Sequence, residues 1–194
     1  MDTSHKEAPE VLSSEDVFQG RVFTVSVDRV RESGREVVRD VVRHAGSAAI
    51  VAVFDDGTVG LVRQYRHPAV KYLLEIPAGS RDGFEPPEEC AARELEEELG
   101  VVAGRLEKLT EFFVSPGFCS EKMWVYIATD LTVTEQRPEE DEVLEIVRVG
   151  LGRAAEMIEA GEIEDAKTII GLTMAAARLG LRGAEGEGLD VSGE

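Results

Sequence analysis

The spacing of apolar residues changes several times along the chain, and each change marks an element. Over RVFTVSVDRV (21–30), Phe23, Val25 and Val27 alternate with polar residues, the period of a strand with one buried face. ESGRE (32–36) is a turn and EVVRDVVRH (36–44) is rich in β-branched residues, so the pair predicts a hairpin. SAAIVAVFDDGTVGLVRQY (47–65) predicts a second hairpin, turning on Asp55-Asp56-Gly57. Its first arm is almost continuously apolar, as in a strand covered on both faces. EKLTEFFVS (107–115) and KMWVYIATDL (122–131) predict strands around a Pro-Gly turn, and EVLEIVRV (142–149) predicts another.

A helical period appears three times. One helix precedes Gly100, with Pro86 and Pro87 suited to its first turn and Gly100 to the position just past its end. GRAAEMIEAGEI (152–163) is a second, interrupted by Gly161. DAKTIIGLTMAAARLG (165–180) is a third, with Ile169, Leu172, Ala176 and Leu179 at three- and four-residue spacing. Residues 1–16 and the Gly- and acid-rich tail, 181–194, show no period and are expected to be disordered. Strands and helices mix without strict βαβ alternation, which predicts an α+β fold with a mixed sheet. The expected organisation is a β-sheet region over 17–45 and a main domain over 46–180.

Composition narrows the function. No segment approaches the roughly 18–20 apolar residues that span a bilayer, and MDTSHKEAPE lacks a signal-peptide core. A soluble, cytoplasmic protein is expected. The net charge of −18 argues against a general grip on nucleic acid or on anionic lipid. Cys90 and Cys119 sit in unlike contexts, so neither a metal motif nor a disulfide is expected.

Within this acidic chain, RELEEELG (93–100) crowds four glutamates into one helix. At about 100° per residue, Glu94, Glu97 and Glu98 share a face and Glu96 points away. Like charges at i, i+3 and i+4 repel. A solvated helix face is one account of them; a hard divalent cation, which prefers carboxylate oxygens, is the other. Leu95 and Leu99 lie on a neighbouring face suited to burial.

The wider spacing favours the cation. Gly79, five residues, Glu85, seven residues, Arg93-Glu94-Leu95, one residue, Glu97-Glu98, one residue and Gly100-Val101 make a complete Nudix box. The chain therefore resembles the Nudix hydrolases, which cleave a nucleoside diphosphate linked to another moiety. That resemblance implies an α/β/α sandwich with a mixed sheet. It implies Mg²⁺ or Mn²⁺, two or more per site, held by Glu94, Glu97, Glu98 and the Ala78 carbonyl. Gly79, Glu85, Arg93 and Gly100 would be structural.

QYRHP (64–68), LLEIPAGS (73–80) and SPGFCSE (115–121) resemble the ADP-ribose pyrophosphatase subgroup. By that resemblance Arg66 would contact the diphosphate or the terminal ribose, and Glu75 would accept hydrogen bonds from ribose or adenine. Ser115, Gly117 and Glu121 would line the side of the terminal ribose. In RPEEDEVLEI (137–146), Glu142 is the first choice for the catalytic loop glutamate and Glu140 the second, with Glu97 also a candidate. The subgroup exchanges its first strands between subunits, which implies a homodimer with Phe18, Phe23 and Val25 as stacking or contact residues. The substrate implied is ADP-ribose. Another nucleoside diphosphate sugar such as GDP-mannose, or nucleotide binding without turnover, are the alternatives.

Overall fold

The computed structural model describes residues 8–137 and 143–180. Ten strands, one 3₁₀ turn and three helices follow in the order β1 (Glu10–Gln19), β2 (Phe23–Glu32), β3 (Arg35–His44), β4 (Ser47–Val53), β5 (Thr58–Arg66), β6 (Lys71–Glu75), β7 (Ala78–Ser80), α1 (Pro87–Leu99), β8 (Val101–Phe113), β9 (Lys122–Val133), β10 (Glu145–Gly150), α2 (Leu151–Glu159) and α3 (Ala166–Arg178). The 3₁₀ turn, His67–Ala69, joins β5 to β6.

The large sheet runs β10-β5-β4-β9-β8, with β6 added to β5 and β7 to β4. Its β4–β9 pair is parallel and its other pairs are antiparallel, so the sheet is mixed as expected. β4 alternates between two cores. Ala49 and Val51 face α2 and α3, alongside Leu172 and Ala175. Ala48, Ile50 and Ala52 face α1, alongside Cys90, Ala91, Leu95 and Leu99. This double burial explains the nearly unbroken apolar run, and helices on both faces give the expected sandwich.

β4 pairs with β5 only at Ala52–Gly60 and Val53–Val59. Beyond that point β6 pairs with β5 and β7 with β4, and Pro77 O accepts from Ile50 N at 2.9 Å. The chain thus fills the gap between two diverging strands. That path carries Glu75, Ala78 and Gly79 in front of α1. β6 and β7 escape the sequence reading because they are short, half-buried and split by a proline.

β1, β2 and β3 form a separate antiparallel sheet. The sequence predicts the β2–β3 hairpin. It does not predict β1, whose first residues fall in the stretch expected to be disordered. β1 is almost wholly exposed, so it has no buried face to impose an apolar period. Pairing with β2 and polar links hold it: Ser14 Oγ donates to Asp28 at 2.6 Å and Arg31 to Glu10 at 2.8 Å. β3 ends against the main domain, where Val42 N donates to Phe118 O (2.7 Å) and Ser120 N to Val42 O (2.9 Å).

Candidate active site

α1 begins at Pro87, after Pro86 as N-cap, and stops at Gly100, whose φ of 62° suits a residue without Cβ. Its buried stripe is Cys90, Ala91, Glu94, Leu95, Glu98 and Leu99. Two carboxylates one turn apart therefore lie in the face that meets the sheet, with Glu94 8% and Glu98 2% exposed. Glu97 stands at the edge of that face, half-buried. Burying carboxylates is costly unless positive charge or donors meet them.

Arg93 meets several of them. Its guanidinium donates to both Glu85 oxygens (3.1 Å each), to Glu94 (2.7 Å), to Glu97 (2.9 Å) and to Ser80 O (3.2 Å). These partners, Glu85 foremost, hold Arg93 firmly charged, and Arg93 in turn holds Glu85 below the usual carboxylate range. Glu98 accepts from Ala78 N at 3.3 Å. β7 approaches α1 so closely that a Cβ on Gly79 would lie 1.8 Å from Glu94 Oε1. Glycine at 79 is what lets the carboxylate pass that backbone. Cys90 sits under the same strand, and burial, reinforced by Glu94 and Glu85, pushes its thiol up to about 12.

The donor set suits a hard cation: buried carboxylates beside the exposed end of a short strand whose carbonyls are oxygen donors. The geometry is braced by Arg93 rather than arranged as a cage. Among the described residues no three acidic, histidine or cysteine side chains converge as a metal site.

A cleft of about 870 Å³ opens in front of these groups. It is lined by Arg21, Arg66, Arg81, Arg93 and Lys167 against Asp82, Glu94 and Glu121, together with Ala78 and Gly79. Arg66 makes a bidentate pair with Glu75, both bonds 2.7 Å, and Lys167 from α3 also bonds Glu75. Glu75 is 1% exposed. Arg81 donates to Glu85 O (2.6 Å) and Ala45 O (3.1 Å) and lies over Trp124, 5.0 Å from its centroid. Glu121 accepts from Ser47 Oγ at 2.7 Å.

The cleft thus gathers Arg66, Ala78, Gly79, Arg93, Glu94 and Glu121 from the sequence-derived set. Glu75 and Glu85 brace it from behind. Ser115 and Gly117 belong to the loop that carries Glu121 but not to the lining. Phe23 borders an adjoining depression of about 360 Å³. Glu140 and Glu142 lie outside the described residues. Sequence reasoning misses Lys167, Arg81 and His44. Arg81 stands inside the box at a position the motif leaves open, and the other two come from distant elements.

A NUDIX domain model matches residues 43–170. The chain is 41% identical over 160 residues to the ADP-ribose pyrophosphatase of Bacillus subtilis, covering 81% of this chain and 86% of that one. It is 37% identical over 162 residues to the methanol dehydrogenase activator of Bacillus methanolicus, covering 82% and 88%. It is 39% identical over 168 residues to the ADP-ribose pyrophosphatase of Mycobacterium tuberculosis, covering 84% and 81%. Among solved structures, an ADP compounds hydrolase superposes with a TM-score of 0.79 at 29% identity, covering 91% of this chain and 97% of that one.

Proposed function

The chain belongs to the Nudix family, and from that premise we propose that its cleft hydrolyses the diphosphate bond of ADP-ribose, giving AMP and ribose 5-phosphate. It is a Nudix pyrophosphatase. The observation that carries the reading is the charge of the cleft. On a chain of net charge −18, five basic side chains line the same hollow as Glu94 of α1. A diphosphate needs such positive groups, and a hard cation needs such carboxylates.

Glu94 and Glu98, with Glu97 and the Ala78 carbonyl, would hold Mg²⁺ or Mn²⁺, two or more ions per site. The chemistry such ions supply when bound is neutralisation of the diphosphate and acidification of the attacking water. Arg66 adds a fixed charge whose direction is set by Glu75. Water bonds to one phosphorus, the bridging P–O bond breaks, and the bridging oxygen leaves with the other phosphate. Glu142, then Glu140, is assigned as proton acceptor on sequence order alone.

A homodimer and a cytoplasmic setting belong to the same proposal. Exposed Val11, Val17, Phe18 and Phe23 on the three-stranded sheet support the dimer. No helix among the described residues is long and apolar enough to cross a membrane.

The test is phosphate-coupled turnover of ADP-ribose, NADH, GDP-mannose, UDP-glucose and 8-oxo-dGTP, with Mg²⁺ and with EDTA. ADP-ribose should be preferred, and EDTA should abolish turnover. Glu98→Gln should lose more than the roughly 10–100-fold that an outer-shell change costs. A preference for another sugar nucleotide would overturn the substrate and keep the metal chemistry. Nucleotide binding without cleavage would overturn the hydrolase.

A further inference from the structure

We propose that His44 is a specificity residue of this cleft, donating a hydrogen bond from Nε2 to a hydroxyl of the substrate sugar farther from the base. The proposal rests on the hydrolase reading above and adds a residue that its motifs do not contain.

His44 ends β3 and lines the cleft with its side chain 9% exposed. Gly46 N donates to its Nδ1 at 2.9 Å, so Nδ1 is the acceptor and the neutral ring carries its proton on Nε2. Gly46 can make this turn because it has φ of 92° and no Cβ, which would lie 2.5 Å from Trp124. The ring is therefore held in one tautomer by backbone. Its Nε2 lies 3.5 Å from Ser80 Oγ, at the outer limit of a hydrogen bond, so a closer acceptor can take that N–H without breaking a strong bond.

The neighbour across the ring is Glu121, whose Oε1 is 3.9 Å from Nδ1. Three bonds fix the two residues together: His44 N donates to Ser120 Oγ (3.0 Å), Ser120 N to Val42 O (2.9 Å) and Val42 N to Phe118 O (2.7 Å). The loop SPGFCSE is thereby fastened to the end of β3. His44 and Glu121 both line the cleft, an N–H donor on one edge of the ring and a carboxylate acceptor off the other, a pair that suits a diol in which one hydroxyl accepts and its neighbour donates. It does not suit a phosphate, which the carboxylate repels. The phosphates belong instead to the basic side chains of the cleft, Arg66 among them.

The experiment compares ADP-ribose with its two analogues that each lack one hydroxyl of the distal ribose, using wild type, His44→Phe and His44→Gln. Wild type should favour ADP-ribose over at least one analogue by about tenfold in kcat/KM, the order of one neutral hydrogen bond. His44→Phe keeps a planar ring without the donor and should collapse that ratio toward one. His44→Gln keeps an N–H and should restore part of it. A variant that merely folds less well loses both substrates alike and leaves the ratio where it was. A ratio unchanged in His44→Phe overturns the proposal while ADP-ribose hydrolysis stands. A wild type that does not cleave ADP-ribose overturns the hydrolase reading first, and this inference with it.

Discussion

Gly79 shows how one missing side chain sets the chemistry. Its Cβ would occupy the place of the Glu94 carboxylate. Gly79→Ala should therefore displace Glu94, and metal-dependent turnover should fall at least tenfold while far-ultraviolet circular dichroism stays native. Near-wild-type turnover would remove Glu94 from the site. Glu75 makes a second prediction. Burial opposes its charge, but hydrogen bonds from Arg66 and Lys167 prevail and hold its pKa below the ordinary 4.5. A carboxylate depressed on folding lends stability above its unfolded pKa and loses it as pH falls through the folded value. In Lys167→Met burial is less opposed and the folded pKa rises, so Tm should be lower at neutral pH and its further loss in acid smaller than in wild type. Superimposable Tm–pH curves would exclude this role for the pair. The Glu94 and Arg93 positions were legible because the box places them within a few residues. Lys167 was not, since it reaches Glu75 across 92 residues of sequence, and no local pattern reports that meeting.

Among the elements, β4 was the most legible, because a strand covered on both faces must be apolar throughout. Ile50, fully buried against α1, should cost about 2–5 kcal/mol when cut to alanine, measured by denaturant unfolding. Val38→Ala, on the exposed side of β3, should stay within about 0.5 kcal/mol. Equal losses at both positions would contradict the layer assignment. β1 was illegible for the opposite reason: residues exposed on both sides carry no period. The helix α1 was legible twice, through its proline and glycine ends and through its paired carboxylates. The sequence wheel placed Glu94, Glu97 and Glu98 together, and packing then separated them, burying the first and last and leaving Glu97 to Arg93. That difference arises because the buried arc of the helix, from Cys90 round to Leu99, is centred away from Glu97, which falls just outside its edge.

The whole molecule joins a double-buried sandwich to a three-stranded sheet with unusually bare faces. Val11, Val17, Phe18, Phe23 and Val38 are all more than 40% exposed on that small sheet. Apolar exposure on this scale marks a contact surface. Sedimentation should therefore give twice the mass of 21.1 kDa, and removal of residues 1–19 should shift the protein toward monomer. A monomeric full-length chain would sink the exchanged-sheet assembly. The small sheet and the main domain meet at the turn after β3, where Gly46 lies against Trp124 and Arg81 caps the same ring. Lys122 covers the indole as well, 5.4 Å from its centroid. Trp124 is the one tryptophan in the chain, and the arginine above it borders the cleft. A ligand that draws Arg81 away changes the field across that single indole and so shifts the colour of its emission. Ligand-induced change in the colour of tryptophan emission should therefore report on Arg81 without any attached dye, and an emission unchanged by bound nucleotide would show that Arg81 stays over the ring.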